Sequence, residues 1–305
     1  MKSLSDLLGS QDEWRIVITD SGLGGLSICA GLARRLRGPA RSRPVRLTYV
    51  NAWPAPGRGY NDLPDIGARA AVFDRALAAM TAFRPGLILI ACNTLSVVYE
   101  ATAFSRAPAA PVAGIIDAGV DLFAEALGRK PEASLALFGT RTTIGSGEHV
   151  RRLALRGVDA GRVLPVACHG LAGAIDKDPG APELAGLVDE CVGRALRGRP
   201  PGGPLFAGLA CTHYGYVADL FRTSFARHGV SGVEILDPNR SLVDALVPAG
   251  AGPGPGGEQP ALHVEVVSKV ELPLAQRQAV AERLRPDSAR TALALLDYSF
   301  RPELF

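Results

Sequence analysis

The sequence predicts an α/β fold with parallel sheets, and three observations carry that prediction. Short apolar runs typical of strands alternate with segments of helical periodicity along most of the chain. The run at 87–90 is apolar throughout, as expected for a parallel strand that is buried on both faces. The length of 305 residues suggests two domains.

The predicted elements follow one another in strand–helix order. A β-branched run at 15–19 stops at Asp20, a glycine-rich turn follows, and a helical pattern begins at Leu26. Glycine- and proline-rich stretches at 198–204 and 247–260 are predicted to be surface loops. The remaining predicted strands are 45–50, 87–90, 111–116, 135–138, 163–166, 205–209 and 233–236. Helices are predicted at 64–83, after Thr94, at 118–127, from near Ser146 and at 184–196, and the chain from His263 adds one strand and one or two helices.

Composition excludes several classes of protein. Lys and Arg total 33 against 30 Asp and Glu, so the net charge of +3 gives no electrostatic case for binding nucleic acid or a membrane surface. No apolar run approaches the roughly 20 residues that span a bilayer, and residues 1–14 do not resemble a signal peptide. The five cysteines form no CxxC pair. We therefore expect reduced thiols and a cytoplasmic protein.

Polar and reactive residues collect where the predicted strands end. In open parallel sheets, ligands bind outside the carboxyl ends of the strands, so these residues predict a functional site. They are Asp20, Ser21, Cys92, Asn93, Thr94, Thr140, Cys168, His169, Cys211, Thr212 and His213.

Two of these residues, Cys92 and Cys211, have matching settings. Each follows a short apolar run and an alanine, and a polar pair comes next. Two thiols that face each other across a cleft suit the transfer of a proton between the two faces of one carbon. Because both cysteines precede a predicted helix, the helix dipole should favour the thiolate, and His213 is close enough to assist Cys211. Cys29 and Cys191 lie within helical patterns and are expected to be small core residues.

Other site types fit less well. The turn Gly22–Gly25 is not a dinucleotide fingerprint, because Ser27 stands where that motif needs glycine. Its glycines are expected to let backbone N–H groups approach a small anion. The spacings around Cys168 and Cys211 do not match zinc sites, so no metal is expected. His149, His228 and His263 are expected to be ordinary surface or core residues, and Thr142 a loop residue.

Four separated motifs resemble the glutamate racemase family, within the cofactor-independent aspartate/glutamate racemase superfamily. The resemblance runs from about residue 16 to residue 246, with the motifs in the family's order. They are Asp20–Leu26 (DSGLGGL), Ala91–Thr94 (ACNT), 139–147 (GTRTTIGSG) and 211–214 (CTHY).

The resemblance implies two similar α/β lobes with the active site in the cleft between them. The first lobe would comprise residues 1–113 and 232–305, and the second 114–231. No cofactor is implied, the substrate is a small amino acid, a homodimer is expected, and a D-glutamate product would supply cell-wall peptidoglycan synthesis. Cys92 and Cys211 would be the acid and base, assisted by Asp20 and His213, with Asp176 where the family has a glutamate that supports the histidine. The implied substrate-binding residues are Ser21, Arg58, Gly59, Asn93, Thr94, Thr140, Thr143 and Thr212.

Three departures from the family leave the substrate open. The family's Pro-Tyr-Gly is replaced by Gly57-Arg58-Gly59, with Tyr60 one residue late, and Arg58 would either grip a carboxylate or point to solvent. Gly215 and His169 each replace a proline. The interpretations are therefore a racemase for glutamate, a superfamily enzyme for aspartate or another amino acid, and a non-catalytic amino-acid sensor.

Overall fold

The computed structural model describes residues 2–9, 11–37, 43–199, 202–248 and 261–305, which contain two parallel sheets covered by helices. The strands are β1 Trp14–Asp20, β2 Val45–Asn51, β3 Leu87–Ile90, β4 Val112–Gly114, β5 Ser134–Gly139, β6 Val163–Ala167, β7 Leu205–Ala210, β8 Glu234–Leu236, β9 Leu262–Ser268 and β10 Ser299–Phe300. The helices are α1 Leu4–Leu8, α2 Leu26–Arg35, α3 Ile66–Met80, α4 Asn93–Tyr99, α5 Ile115–Arg129, α6 Arg141–Gly145, α7 Glu148–Leu155, α8 Leu171–Lys177, α9 Leu184–Arg197, α10 Ala218–Arg227, α11 Pro238–Leu246, α12 Leu274–Leu284 and α13 Ala289–Leu296.

The first sheet has the strand order β10-β9-β2-β1-β3-β4, and all its pairings are parallel. β1 lies inside the sheet between β2 and β3, which explains why its apolar run is buried on both faces. One face packs against α2, α12 and α13, and the other against α3 and α4. This sheet and these helices form the first lobe.

The second sheet has the order β6-β5-β7-β8 and is also parallel. Helices α8, α9 and α10 cover one face, and α5 and α7 cover the other, which completes the second lobe. The prediction of an α/β fold with two parallel-sheet lobes is confirmed. The expected return to the first lobe at residue 232 comes too early, because β8 pairs with β7 in the second sheet.

Several boundaries differ from the predictions for local reasons. α3 begins at Ile66 rather than residue 64, because the Asp65 side chain caps it by accepting the Ala68 N–H at 2.8 Å. β4 ends at Gly114, and α5 starts directly after it at Ile115. α1 was not predicted, although Ser3 and Asp6 form a capping box at its start. In the predicted loops, residues 200–201 and 249–260 lie outside the described residues.

The carboxyl ends of both sheets carry the polar motifs that the sequence singles out. Asp20 ends β1, Cys92 follows β3, Thr140 follows β5, and Cys211 follows β7. This common edge is expected for parallel strands and brings the motifs of both lobes to one cleft. No helix in the described ranges is both long and apolar enough to cross a membrane.

Candidate active site

A cavity of about 160 Å³ lies in the cleft between the two lobes. Cys92 and Cys211 both line it, and each is 5% exposed. The structure therefore brings together the two thiols that the sequence paired. The other predicted site residues that line the cavity are Ser21, Gly59, Asn93, Thr94, Thr140, Cys168, His169, Thr212 and His213.

Cys92 is the N-cap residue of α4. Its Sγ accepts the Leu95 N–H at 3.5 Å and lies 3.2 Å from the Ser21 hydroxyl. Burial raises the pKa of the Cys92 thiol, the Asp20 carboxylate raises it further, and the contacts with Ser21 and Leu95 offset only part of this. Burial and Asp20 thus oppose the thiolate that the helix dipole is expected to favour at Cys92.

Asp20 does not line the cavity but lies behind it, fully buried at the end of β1. Its Oδ2 accepts the Thr212 hydroxyl at 2.8 Å, while Oδ1 has no hydrogen-bond partner among the described residues. Burial raises the pKa of Asp20, although His213 and Thr212 act in the opposite direction. Asp20 thus links the first lobe to the Cys211 motif as well as acting electrostatically on Cys92.

Cys211 has different surroundings. The chain after it forms a 3₁₀ helix at Thr212–Val217, and α10 begins only at Ala218, so no α-helix starts at this thiol. The partner of Cys211 is instead His213, whose Nδ1 lies 3.7 Å from Sγ. His213 Nε2 lies 2.8 Å from Asp176 Oδ1, which places a carboxylate, an imidazole and a thiol in one line of contacts.

His213 is the buried imidazole beside Cys211. Burial alone lowers its pKa, but the hydrogen bonds to Asp176 and Cys211 outweigh burial and raise the pKa well above its ordinary value. His213 Nε2 is within hydrogen-bonding distance of both Asp176 Oδ1 and the Gly24 N–H, and Nδ1 faces Cys211 Sγ.

The glycine-rich turn after β1 contacts Asp176 and His213, which we call the dyad. The Leu23 N–H donates to Asp176 Oδ1 at 2.7 Å, and the Gly24 N–H donates to His213 Nε2 at 3.1 Å. A Cβ on Gly24 would lie 2.4 Å from Thr212 Oγ1 and 2.6 Å from His213 Nδ1, so only glycine fits this approach. The small anion expected near this turn is the protein's own Asp176 carboxylate.

Three threonines form a hydroxyl cluster at one wall of the cavity. Thr94 Oγ1 lies 2.8 Å from Thr140 Oγ1 and 3.1 Å from Thr143 Oγ1, and the latter two are 3.0 Å apart. Thr143 does not line the cavity and supports the other two from behind. The cluster joins the lobes, since Thr94 lies in the first turn of α4 while Thr140 is the N-cap residue of α6 and Thr143 lies within α6.

His149 is a residue of the site whose role the sequence did not predict. It is buried, and its Nε2 lies 3.1 Å from Asn93 Oδ1, which makes it the support of the residue next to Cys92. Burial, aided by Arg152, lowers its pKa to about 4, so the ring is neutral and donates Nε2–H to Asn93. Nothing in the sequence around His149 signals this contact, because it depends on how α7 meets α4.

The mouth of the cavity contains Arg141, His169 and Tyr60. Arg141 Nη2 donates to His169 Nδ1 at 2.8 Å, and the Tyr60 hydroxyl is buried without a hydrogen-bond partner in the described part of the chain. Arg58 is exposed and does not line the cavity, so the expectation that it grips a carboxylate there is not met. Tyr60, which stands one residue later than the family's tyrosine, lines the cavity, and Arg58 does not.

Asn61 and Thr142 connect the two lobes beside this mouth. Asn61 Oδ1 accepts both the Thr142 N–H at 3.1 Å and the Thr142 hydroxyl at 2.8 Å. Thr142, expected in a loop, lies in α6, whereas Asn61 lies in the 3₁₀ helix Tyr60–Asp62 of the first lobe. We call this pair the Asn61–Thr142 bridge.

Among the described residues, no group of three or more His, Cys, Asp or Glu side chains is placed to hold a metal ion.

Comparisons with known proteins point to one family, although no protein-family model matches the chain. The chain is 30% identical to the glutamate racemase of Caulobacter sp. strain K31 over 250 residues, which cover 76% of this chain and 83% of the relative. Its fold is similar to that of glutamate racemase isoform RacE1 from Bacillus anthracis, with a TM-score of 0.69 and 19% identity over 90% of this chain and 95% of that one.

A second solved structure shares the fold. It is the glutamate racemase of Francisella tularensis in complex with D-glutamate, with a TM-score of 0.63 and 20% identity, and the match covers 90% of this chain and 95% of that one. These structural similarities establish the fold, and the Caulobacter relative establishes the family. The chain belongs to the glutamate racemase family and is an isomerase that racemises an amino acid.

Proposed function

We propose that the chain interconverts L- and D-glutamate by a cofactor-independent proton transfer in which Cys92 and Cys211 are the acid and the base. The observation that carries this proposal is that both thiols line one cavity. The family of the Caulobacter relative and the D-glutamate bound to the Francisella racemase support glutamate as the substrate. Membership in an enzyme family favours catalysis over a non-catalytic sensor.

The reaction balances without an oxidant or reductant. The thiolate of one cysteine takes the proton from the α-carbon, and the electron pair of the broken C–H bond stays on that carbon. The thiol of the other cysteine then gives its proton to the opposite face, and a new C–H bond forms. One thiolate is consumed and another is produced, so the two cysteines exchange roles with each turnover.

The surroundings of the thiols suggest which one acts first as the base. We assign that role to Cys211, because His213 Nδ1 lies 3.7 Å from its Sγ. We assign the resting thiol to Cys92, because burial and the Asp20 carboxylate raise its pKa. This asymmetry provides one base and one acid before the substrate arrives.

Hydroxyl and amide groups around the thiols suit the polar ends of an amino acid. We assign binding of the amino and carboxylate groups to Ser21, Asn93, Thr94, Thr140 and Thr212, with Thr143 as their support. Clustered hydroxyls donate readily to a carboxylate.

The side-chain carboxylate of the substrate would meet the mouth of the cavity. Arg141 offers a guanidinium and Tyr60 a buried hydroxyl, and both line the cavity. These groups favour an acidic amino acid and take the place expected for Arg58. Aspartate shares this chemistry and is the second candidate substrate. We extend the proposal to a homodimer in the cytoplasm whose D-glutamate product serves peptidoglycan synthesis in the cell wall.

Incubation with L- or D-glutamate in deuterated water tests the proposal. The expected result is deuterium at the α-carbon together with loss of optical rotation. Cys92→Ser and Cys211→Ser should each lower turnover by about 10²- to 10⁴-fold, as expected for loss of an acid–base group. Cys29→Ala, a buried cysteine in α2, is the matched control.

Each outcome separates the candidates. Exchange with aspartate and not glutamate would replace the substrate, and no exchange with either would remove acidic amino acids from consideration. Full activity after substitution of either site cysteine would contradict the two-thiol scheme.

A further inference from the structure

Asp176 is held by more groups than the histidine it supports. Its Oδ1 accepts the Leu23 N–H at 2.7 Å and lies 2.8 Å from His213 Nε2. Its Oδ2 accepts the Nε2–H of Gln276 at 2.9 Å, and Gln276 also donates to the Asp176 backbone carbonyl at 2.9 Å. Both carboxylate oxygens are therefore occupied, and the side chain has a single orientation.

The Gln276 contact crosses between lobes. Gln276 lies on α12, whose Val280, Ala281 and Leu284 are buried in the core of the first lobe. Asp176 lies on α8, whose Leu171 and Ile175 are buried in the core of the second lobe. The hydrogen bonds from Gln276 to Asp176 thus form only when the lobes are docked.

The length of the acidic side chain gives this contact its importance. Aspartate is one methylene shorter than the glutamate of the family pattern, so its carboxylate stays closer to α8. A carboxylate anchored through one oxygen can turn about its Cβ–Cγ bond and misalign with the imidazole. Donation by Gln276 to the second oxygen opposes that rotation and keeps the carboxylate aligned with His213.

We infer that Gln276 is a positioning residue that orients Asp176 and thereby directs the His213 ring at Cys211. It acts on the Cys211 step, since Asp176 and His213 lie on that side of the cavity. The inference rests on the proposed function only for its kinetic consequence. The effect on the His213 ring is independent of the substrate.

Gln276→Met tests the inference, because methionine keeps the length and removes the donor. Nitrogen NMR of the His213 ring should show its titration moving to lower pH by about one unit, since loss of one charge-assisted hydrogen bond is worth about tenfold. The charged and titratable groups near that ring are Asp176, Cys211 and Asp20, and all three are unchanged. With glutamate, kcat/KM at neutral pH should fall about tenfold.

Arg283→Met is the matched control. Arg283 lies on the same helix and also reaches the second lobe, where its Nη2 donates to the Pro179 carbonyl at 3.2 Å, but it does not touch the dyad. It should leave the His213 titration unchanged. If both variants shift that titration equally, Gln276 contributes only to lobe docking and the inference is overturned.

A double-mutant cycle with Asp176→Asn completes the test. If Gln276 acts through Asp176, Gln276→Met should have no further effect in the Asp176→Asn background. Independent, additive effects on kcat/KM would contradict the inference. The wild type could fail to act on glutamate while Gln276→Met still shifts the His213 titration as expected. That result would overturn the glutamate proposal and leave this inference standing.

Discussion

Cys92 and Cys211 follow the same pattern of apolar strand and alanine, yet each is served by a histidine of opposite character. The Cys92 half, meaning Cys92 with Asn93 and its support His149, contains a neutral ring whose pKa falls to about 4. The Cys211 half, meaning Cys211 with His213 and Asp176, contains a ring whose pKa is raised well above its ordinary value. Both rings are buried, but burial and Arg152 lower the pKa of His149, whereas the hydrogen bonds to Asp176 and Cys211 outweigh burial and raise the pKa of His213.

This comparison shows how one fold prepares two like thiols for opposite tasks. The pattern around the cysteines places both at strand ends, but it does not determine their charge. Charge depends on residues from other parts of the chain, such as Asp176 and His149, which pack against the cysteine motifs. The following predictions test whether the two halves differ as described.

Gly24→Ala should produce the largest effect, because it obstructs docking of the Cys211 half. The new Cβ would overlap Thr212 and His213, and misplacement by about 1 Å can cost about 10²-fold in rate. Overpacking should also lower the free energy of unfolding by about 1–3 kcal/mol. Steady-state kinetics and urea unfolding measure both. Gly186→Ala, where a Cβ meets no atom within 4 Å, is the control, and retention of near wild-type activity by Gly24→Ala would refute the docking geometry.

Acid should destabilise the protein through His149 of the Cys92 half. The folded pKa of about 4 lies below the ordinary 6.5, so the unfolded chain binds the proton first as pH falls. Stability is therefore lost between about pH 6.5 and pH 4, by on the order of 2–3 kcal/mol. Urea unfolding at several pH values should show this loss in the wild type and a smaller one in His149→Gln, whose amide can still donate to Asn93. The same slope in both proteins would show that His149 is not neutral when folded.

Alkylation with iodoacetamide should distinguish the two thiols directly. Both are 5% exposed, so access does not separate them, and the thiolate fraction should decide the rate. At pH 7 we expect Cys211 to react at least about tenfold faster than Cys92, whose pKa is raised by burial and Asp20. Peptide mass spectrometry gives both rates in one sample, with the fully buried Cys29 as the unreactive reference. Equal rates would remove the electrostatic difference between the halves.

Arg141→Gln should have the smallest effect and should act on both halves alike. Loss of the guanidinium at the mouth should raise KM for both enantiomers of glutamate about tenfold with little change in kcat, because one charge-assisted hydrogen bond is lost. Arg58→Gln, an exposed arginine outside the cavity, is the control. An unchanged KM in Arg141→Gln, or a raised KM in Arg58→Gln, would show that a residue other than Arg141 recognises the substrate's side-chain carboxylate.

The sequence predicted the α/β lobes and most of the residues around the cavity, because parallel strands bring their carboxyl ends to one edge. Cys92, Thr140 and Cys211 could be found this way since each directly follows an apolar run. The roles of His149 and Gln276 could not, because each depends on a helix of one lobe meeting the other. The sequence did not determine where Arg58 points, because the fold of the loop after β2 decides which of its residues face the cleft.

The Asn61–Thr142 bridge has a consequence for the catalytic cycle. Its amide oxygen accepts two hydrogen bonds from the opposite lobe, so the lobes cannot separate at the mouth without breaking both. Substrate entry and product release would both require this bridge to break. Breaking it adds an energy barrier that is separate from proton abstraction at the α-carbon. Once breaking of the bridge is slower than proton transfer, a faster proton transfer would no longer raise kcat.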